Sequence, residues 1–315
     1  MKVAVVDLGT NTCRLLLAEV VDGHLASVAA RETEVVRLGQ GVDGRGRLAP
    51  AAVDRTLACL ARYTAAAQTY GPERSLLFAT SALRDAADGE DFLRRAEGEY
   101  GWPWEVIEGD LEGRLAFRGA VAGLAHPVHE RLLVVDIGGG STELIVGSGV
   151  TGGAAAVRSV DIGAVRLTER CFAADPPTDA QWAAASALVA DALAAASAEV
   201  VASAGRPAVG IGVAGTFTTL VAYVLELREW RRELVDGYEL SRETMLGAID
   251  HFRQLTSAQR AELPGIRRGR EDVILAGALI AAEAGRAFGL DALRVSTSGI
   301  LEGAGLWVAG RPALG

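Results

Sequence analysis

The segment Asp136-Ile137-Gly138-Gly139-Gly140-Ser141-Thr142-Glu143 carries the densest chemical signal in the chain. An apolar run from Leu132 delivers Asp136 directly into three glycines. A turn of that composition presents consecutive backbone N–H groups on a concave surface, and no Cβ obstructs an approaching anion. Gly138, Gly139, Gly140 and Ser141 are therefore candidate phosphate-binding residues. Asp136 and Glu143 flank the same turn. Two hard carboxylate oxygens beside a phosphate cradle suit Mg²⁺ or another divalent cation, which keeps several waters and takes one or two protein ligands. A glycine-rich hairpin with solvated acids has the same composition, so the segment gains weight only in company.

That company is an internal repeat. Val5-Val6-Asp7-Leu8-Gly9 matches Val134-Val135-Asp136-Ile137-Gly138, Leu15-Leu16-Leu17 matches Leu144-Ile145-Val146, and Thr12 falls on Ser141. The first copy, Asp7-Leu8-Gly9-Thr10-Asn11-Thr12, replaces glycines with hydroxyl and amide donors, and Arg14 follows two residues on. Gly9, Thr10, Asn11 and Thr12 join the phosphate-binding candidates, and Asp7 joins the carboxylates available to a cation. A repeat this long, with its turn in register, predicts two lobes of similar plan facing each other, with a polyanion held between the turns.

Further candidates lie downstream. Thr80-Ser81-Ala82-Leu83-Arg84-Asp85 follows an expected strand. Hydroxyls and an arginine at a strand's C-terminal end are well placed for an anion in an open α/β sheet; an ordinary helix cap with a solvated Arg84 is the alternative. Glu112 and Arg114 open a helix after Ile107-Glu108-Gly109-Asp110. A carboxylate beside bound phosphate can deprotonate an attacking water, although spacing alone describes a solvent-facing acid more readily. Gly163–Arg166 and Gly210–Thr219 are glycine-to-helix junctions of a type that binds anions. No GxxxxGK[ST] loop and no GxSxG elbow occurs, and no Cys–His nucleophile pair is apparent. His126-Pro127-Val128-His129 lacks a spacing that would bring its rings to one metal.

The elements that must position these residues alternate between strand and helix, which argues α/β class. Strands are expected at Val3–Asp7, Arg14–Val21, Leu25–Ala30, Ser75–Thr80, Trp104–Ile107, Leu132–Asp136, Ala154–Val160, Ala208–Val213 and Leu293–Ser296. Asp22-Gly23 marks a hairpin turn. Helices are expected over about 50–69, 91–100, 111–123, 164–171, 179–202, 241–253 and 271–288, from near Thr216, and from about Ile300 onward. A boundary near Gly123–Glu130 divides residues 1–123 from 124–315, with the last helix expected back toward the first lobe. Of the 315 residues, half are apolar and 23% charged, and the net charge is −9. That is the wrong sign for gripping nucleic acid through an overall field. No apolar run approaches the ~18 residues of a membrane span. The Ala-rich stretch after Thr178 is interrupted by Asp191 and Glu199, and Thr178 and Gln181 stand at capping-box spacing, so a soluble helix is expected. Cys13, Cys59 and Cys171 form no CxxC pair and fit a cytoplasmic protein without disulfide or zinc framework.

These blocks resemble the exopolyphosphatase/guanosine pentaphosphate phosphohydrolase family. The resemblance rests, in the family's order, on Val6–Thr12, Ala79–Asp85, Asp136–Glu143, Asp161–Leu167, Gly215-Thr216 and Gly269–Ile274. It implies two similar ribonuclease H-like lobes of the actin/Hsp70/sugar kinase superfamily with an interlobe cleft. The chain is similar to the short form, which lacks a C-terminal HD-type domain. The implied reaction is hydrolysis of a terminal phosphoanhydride of inorganic polyphosphate, releasing orthophosphate. Guanosine pentaphosphate or a nucleoside triphosphate is the alternative substrate, and a non-catalytic polyphosphate- or nucleotide-binding role is the alternative of another class. No membrane partner is implied, and a homodimer is allowed without being specified. By resemblance Glu112 is the catalytic base, Asp136 and Glu143 are metal-associated acids, and Gly9, Asn11, Thr12 and Gly138 to Ser141 cradle phosphate. Arg84 and Arg166 match arginines that neutralise the phosphate chain. The chain departs from the family at Leu111, where a second acid is usual, at Gly113 for Ala, at Asp88 for Asn, and at Leu301 for Arg.

Overall fold

The computed structural model describes residues 1–123, 131–150 and 153–311. The segment His126-Pro127-Val128-His129 and most of the expected boundary region lie outside the described residues. The chain divides into two compact units, Met1–Leu115 with Ile300–Gly315, and Ala116–Gly299.

In the first unit the apolar run at the N-terminus forms β1 (Lys2–Leu8), the middle strand of a five-stranded sheet. Val3, Ala4, Val5 and Val6 are all fully buried, as expected of a strand covered on both faces. β2 (Thr12–Val21) returns antiparallel and β3 (His24–Val35) extends the hairpin. Asp22 and Gly23 join them with φ of 52° and 76°, a type I′ turn whose twist matches the flanking strands. The segment between Gly39 and Gly46 holds one short helix, α1 (Val42–Arg45), bounded by left-handed Gly41 and Gly46. α2 (Pro50–Tyr70) starts on a proline whose missing N–H costs nothing there, and it stops at left-handed Gly71. β4 (Arg74–Ala79), α3 (Ser81–Asp85), α4 (Gly89–Tyr100), β5 (Trp104–Val106) and α5 (Gly109–Ala122) follow. The strand order β3-β2-β1-β4-β5, with β4 and β5 parallel to β1, is ribonuclease H-like. Leu57, Leu60, Tyr63, Phe92 and Leu93 pack with Ala4, Val6, Leu15 and Leu77 on one face.

The second unit repeats the plan. β6 (Arg131–Ile137), β7 (Thr142–Ser148) and β8 (Gly153–Val160) form the antiparallel meander. α6 (Ala164–Cys171) and α7 (Asp179–Ala204) lead to β9 (Val209–Val213) and α8 (Ala214–Val224). Then come α9 (Arg232–Val235), β10 (Glu239–Ser241), α10 (Arg242–Phe252), α11 (Ser257–Arg260), α12 (Ile274–Phe288) and β11 (Ala292–Val295). The order β8-β7-β6-β9-β11 reproduces that of the first sheet, and β10 adds an antiparallel edge. α7 opens on the capping box formed by Thr178 and Gln181. It is long and apolar enough to cross a membrane, yet Ala185, Val189, Leu193, Ala196 and Val200 lie on one stripe in the unit's core.

The final helix, α13 (Ile300–Gly310), belongs to the first unit and packs on β1, β2 and β4. A Cβ on its Gly305 would stand 3.0 Å from Leu16 Cδ2. Successive residues of β1 alternate between the faces, so Val3, Val5 and Asp7 share the face opposite Ala4, Val6 and Leu8. In the second unit the corresponding face is made by Leu132 and Val134 with Phe117 and Ala120 from the latter part of α5. Asp136 falls on that face. Each aspartate therefore lies one residue before the end of a buried strand, on equivalent faces of two like sheets.

Candidate active site

In the first unit the turn between β1 and β2 is closed by Gly9 N–H donating to Thr12 O at 2.9 Å. The carbonyls of the turn face the following loop: Thr10 O accepts from Gly39 N–H (2.8 Å), and Asn11 O accepts from Val36 and Arg37 N–H (3.0 and 2.9 Å). The N–H groups of Thr10 and Asn11 meet no acceptor among the described residues. Asn11 is only 7% exposed, and its Nδ2 has no hydrogen-bond partner there. Leaving a buried donor unpaired costs about 1–3 kcal/mol, which an anion's oxygen would recover.

The second unit repeats this geometry. Gly138 N–H donates to Ser141 O at 3.0 Å. Gly138 O accepts from Ala164 N–H (2.9 Å), and Gly139 O accepts from Val165 and Arg166 N–H (2.9 and 3.0 Å). Arg166 Nε donates to Gly140 O at 2.8 Å. The turn's carbonyls are thus spent on α6, while the N–H groups of Gly139, Gly140 and Ser141 donate to nothing among the described residues. This corrects the expectation that Gly163–Arg166 is itself an anion-binding junction. The first N–H groups of α6 are already taken by the glycine turn, and Arg166 braces that turn. The contact is close because residue 163 lacks a Cβ: one added there would lie 2.4 Å from Gly139 O and 2.6 Å from Gly140 C. Gly163→Ala must displace rigid backbone and is expected to cost about 1–3 kcal/mol, as overpacking does. Urea unfolding and KM measured on the same preparation check this, with KM rising as the turn moves.

The acids at the two turns differ in their partners. Asp7 and Arg14 are direct cross-strand neighbours; Arg14 Nε donates to Asp7 Oδ2 at 2.6 Å, and Nη2 pairs with the same oxygen. Burial pushes the Asp7 carboxyl up, against the pull of Arg14. At the same register in the second unit, Asp136 stands opposite Glu143. Directly opposed residues share a face of the sheet with Cβ atoms roughly 4.5–5.5 Å apart. Two carboxylates are thus juxtaposed at a buried position, Asp136 at 6% and Glu143 at 1% exposure. Ser159 Oγ donates to Glu143 Oε1 at 2.8 Å and fixes its orientation. Among the described residues no three His, Cys, Asp or Glu side chains gather, but two carboxylates are the donor set that Mg²⁺ takes. The residues fit that ion.

Glu112 sits in the first turn of α5 and is 8% exposed. Arg84 Nη1 reaches its Oε2 at 3.2 Å and also donates to Ile107 O. The first unit therefore brings Glu112 and Arg84 together, and gathers Gly9, Thr10, Asn11 and Thr12 at one strand end. The second unit gathers Asp136, Gly138, Gly139, Gly140, Ser141, Glu143 and Arg166. Arg14 was passed over in the sequence apart from its nearness to the turn; the signal was its place in the repeat, where it matches Glu143. Ser159 carried no signal, since only pairing of β8 with β7 brings it to Glu143.

Two of the departures, Asp88 and Leu301, have described surroundings. Asp88 Oδ1 accepts from Leu48 N–H at 2.9 Å, and its other oxygen faces Arg47 at 3.4 Å. An Asn would make the first contact equally well, so Asp88→Asn is expected to leave kcat within about twofold, measured by phosphate release. Leu301 is buried, and beside it Glu302 accepts from Arg31 Nε at 2.8 Å, so the acid following Leu301 has its cation within the first unit.

Comparison with known proteins places the chain in a family. The model of the Ppx/GppA phosphatase family matches residues 16–307. Exopolyphosphatase 2 of Mycobacterium tuberculosis is 38% identical, over 98% of this chain and 99% of its own length. The crystal structure of an Aquifex aeolicus Ppx/GppA family member superposes with a TM-score of 0.81 at 31% identity, covering 98% of this chain and 97% of that one. An exopolyphosphatase from Cytophaga hutchinsonii gives 0.86 at 26% identity, covering 96% of each chain. The repeat, the two amide-lined turns and these likenesses converge: the chain belongs to the Ppx/GppA phosphatase family.

Proposed function

We propose that this protein is an exopolyphosphatase that removes the terminal phosphate of inorganic polyphosphate. The observation that carries the reading is the pair of turns, one in each unit, in which the N–H groups of Thr10 and Asn11, and of Gly139, Gly140 and Ser141, meet no acceptor among the described residues while the carbonyls of Thr10, Asn11, Gly138 and Gly139 are occupied. Donors fixed in that way need no reorganisation when charge builds on phosphoryl oxygens. The kinship with a mycobacterial exopolyphosphatase over nearly the whole chain supports the same substrate.

In this reading Glu112 orders a water molecule and accepts its proton as the water oxygen attacks the terminal phosphorus. The bond from phosphorus to the bridging oxygen breaks, and the electron pair stays on that oxygen at the new end of the shortened chain. The donors available to phosphoryl oxygens are the N–H groups of Thr10 and Asn11, with Asn11 Nδ2, in the first unit, and those of Gly139, Gly140 and Ser141 in the second, each unit taken by itself. Gly9, Thr12 and Gly138 shape the turns. Asp136 and Glu143 would hold Mg²⁺, which supplies Lewis-acid withdrawal of charge from those oxygens when bound. Asp7, already paired with Arg14, is assigned to fixing that arginine beside the first turn rather than to the metal.

Phosphate release should be followed for the purified protein with Mg²⁺ on long-chain polyphosphate, guanosine pentaphosphate and ATP. The reading expects the highest kcat/KM on polyphosphate. Release from guanosine pentaphosphate with none from polyphosphate would replace the substrate, and binding without release from any of them would replace the class.

A further inference from the structure

Resemblance casts Arg84 as a cation for the phosphate chain, but its contacts give it another partner. α3, which carries it, is a five-residue helix immediately after β4. From there the side chain crosses to the exit of the neighbouring strand β5. A single nitrogen, Nη1, donates both to the Ile107 backbone oxygen and to Glu112 Oε2, the latter at 3.2 Å. Both side chains are largely out of solvent, Arg84 at 17% and Glu112 at 11% exposure. An ion pair at that depth is screened far less than a surface pair. The Ile107 carbonyl is fixed: Ile107 N–H is bound to Ala79 O at 2.9 Å, which ties this segment to the end of β4. Arg84 therefore links Glu112 to a rigid sheet edge through one bridging nitrogen.

We propose that Arg84 is a positioning residue for the base, aiming the Glu112 carboxylate at the attacking water, rather than a grip on substrate. The inference rests on the assignment of Glu112 as the base. A carboxylate held against a fixed donor has its direction restricted. In-line attack is sensitive to that direction, since a misplacement of about 1 Å can cost ~100-fold in rate. A grip on the phosphate chain would act differently, changing binding of ground state and transition state together and so moving KM.

The test is a double-variant cycle measured as kcat and KM on polyphosphate: Arg84→Ala, Glu112→Gln, and both together. Arg84→Ala is expected to lower kcat by roughly 30- to 100-fold with KM within about twofold. Added to Glu112→Gln, it should lower the residual rate no further, because the carboxylate it aims is already gone. Arg84→Lys keeps a donor for the carboxylate and should recover part of kcat; it also serves if the alanine variant unfolds. A KM raised tenfold at unchanged kcat, or a further tenfold loss in the double variant, would overturn the proposal and return Arg84 to the substrate. Full activity of Glu112→Gln by itself would instead remove the base assignment, a result visible without any Arg84 variant.

Discussion

Glu112→Gln is expected to lower kcat for phosphate release from polyphosphate by roughly two to four orders of magnitude, the usual contribution of a general base. KM should stay close to wild type, because the amide-lined turns proposed to hold phosphate are untouched. The substitution is nearly isosteric, and the Gln side-chain oxygen can still accept from Arg84 Nη1, now without the charge. The backbone bond from Glu112 N–H to Glu108 O, which starts α5, is unaffected. Loss of rate with a wild-type thermal melt therefore reports on proton transfer. A variant that melts normally and turns over at the wild-type rate would move the base to another residue.

Glu143→Gln should produce the second large effect, and it has a readout that does not depend on turnover. Asp136 and Glu143 oppose each other across the β6–β7 ladder at buried positions. A divalent cation held by both carboxylates would favour the folded state that brings them together. The wild-type protein is therefore expected to gain thermal stability on adding Mg²⁺. That gain amounts to about 2.7 kcal/mol at a concentration one hundred times the Kd, by mass action on the folded state. Glu143→Gln keeps an oxygen for the Ser159 hydroxyl but halves the negative charge. It should gain far less from the ion, and lose at least about 100-fold in kcat through the missing Lewis acid. Equal Mg²⁺ stabilisation of both proteins would remove the cation from this pair.

Much of this was legible in the sequence because it was written twice. The match of Val5–Gly9 to Val134–Gly138 fixed the equivalence of the two sheets, and the register of β1–β2 and β6–β7 is identical in plan. Long elements with strong stops were also readable: α2 between Pro50 and Gly71, and α7 from its capping box. Short elements were not. β10 has three residues and owes its existence to antiparallel pairing with β11, a long-range contact with no periodicity of its own. The expected start of α12 at Glu271 is early; Gly269 to Val273 form hydrogen-bonded turns and the helix begins at Ile274. At the candidate site, residue types pointed to anions, but which groups of a turn face outward depends on what packs behind it. Gly163 could be read as an open helix start only until α6 was seen to spend its N–H groups on Gly138 and Gly139. Arg84 carries a charge in any reading, and only the position of Ile107 shows which group that charge serves.

The return of α13 to the first sheet affects how the protein is made. Its lining residues Val3 and Leu16 emerge from the ribosome long before Gly305 does, whereas Ala116–Gly299 is one continuous stretch. The later-made unit can therefore complete its core during synthesis, while the unit bearing Glu112 keeps an apolar sheet face exposed until α13 has been made. Chaperone dependence and sensitivity to premature termination should accordingly concentrate in the half that is synthesised first.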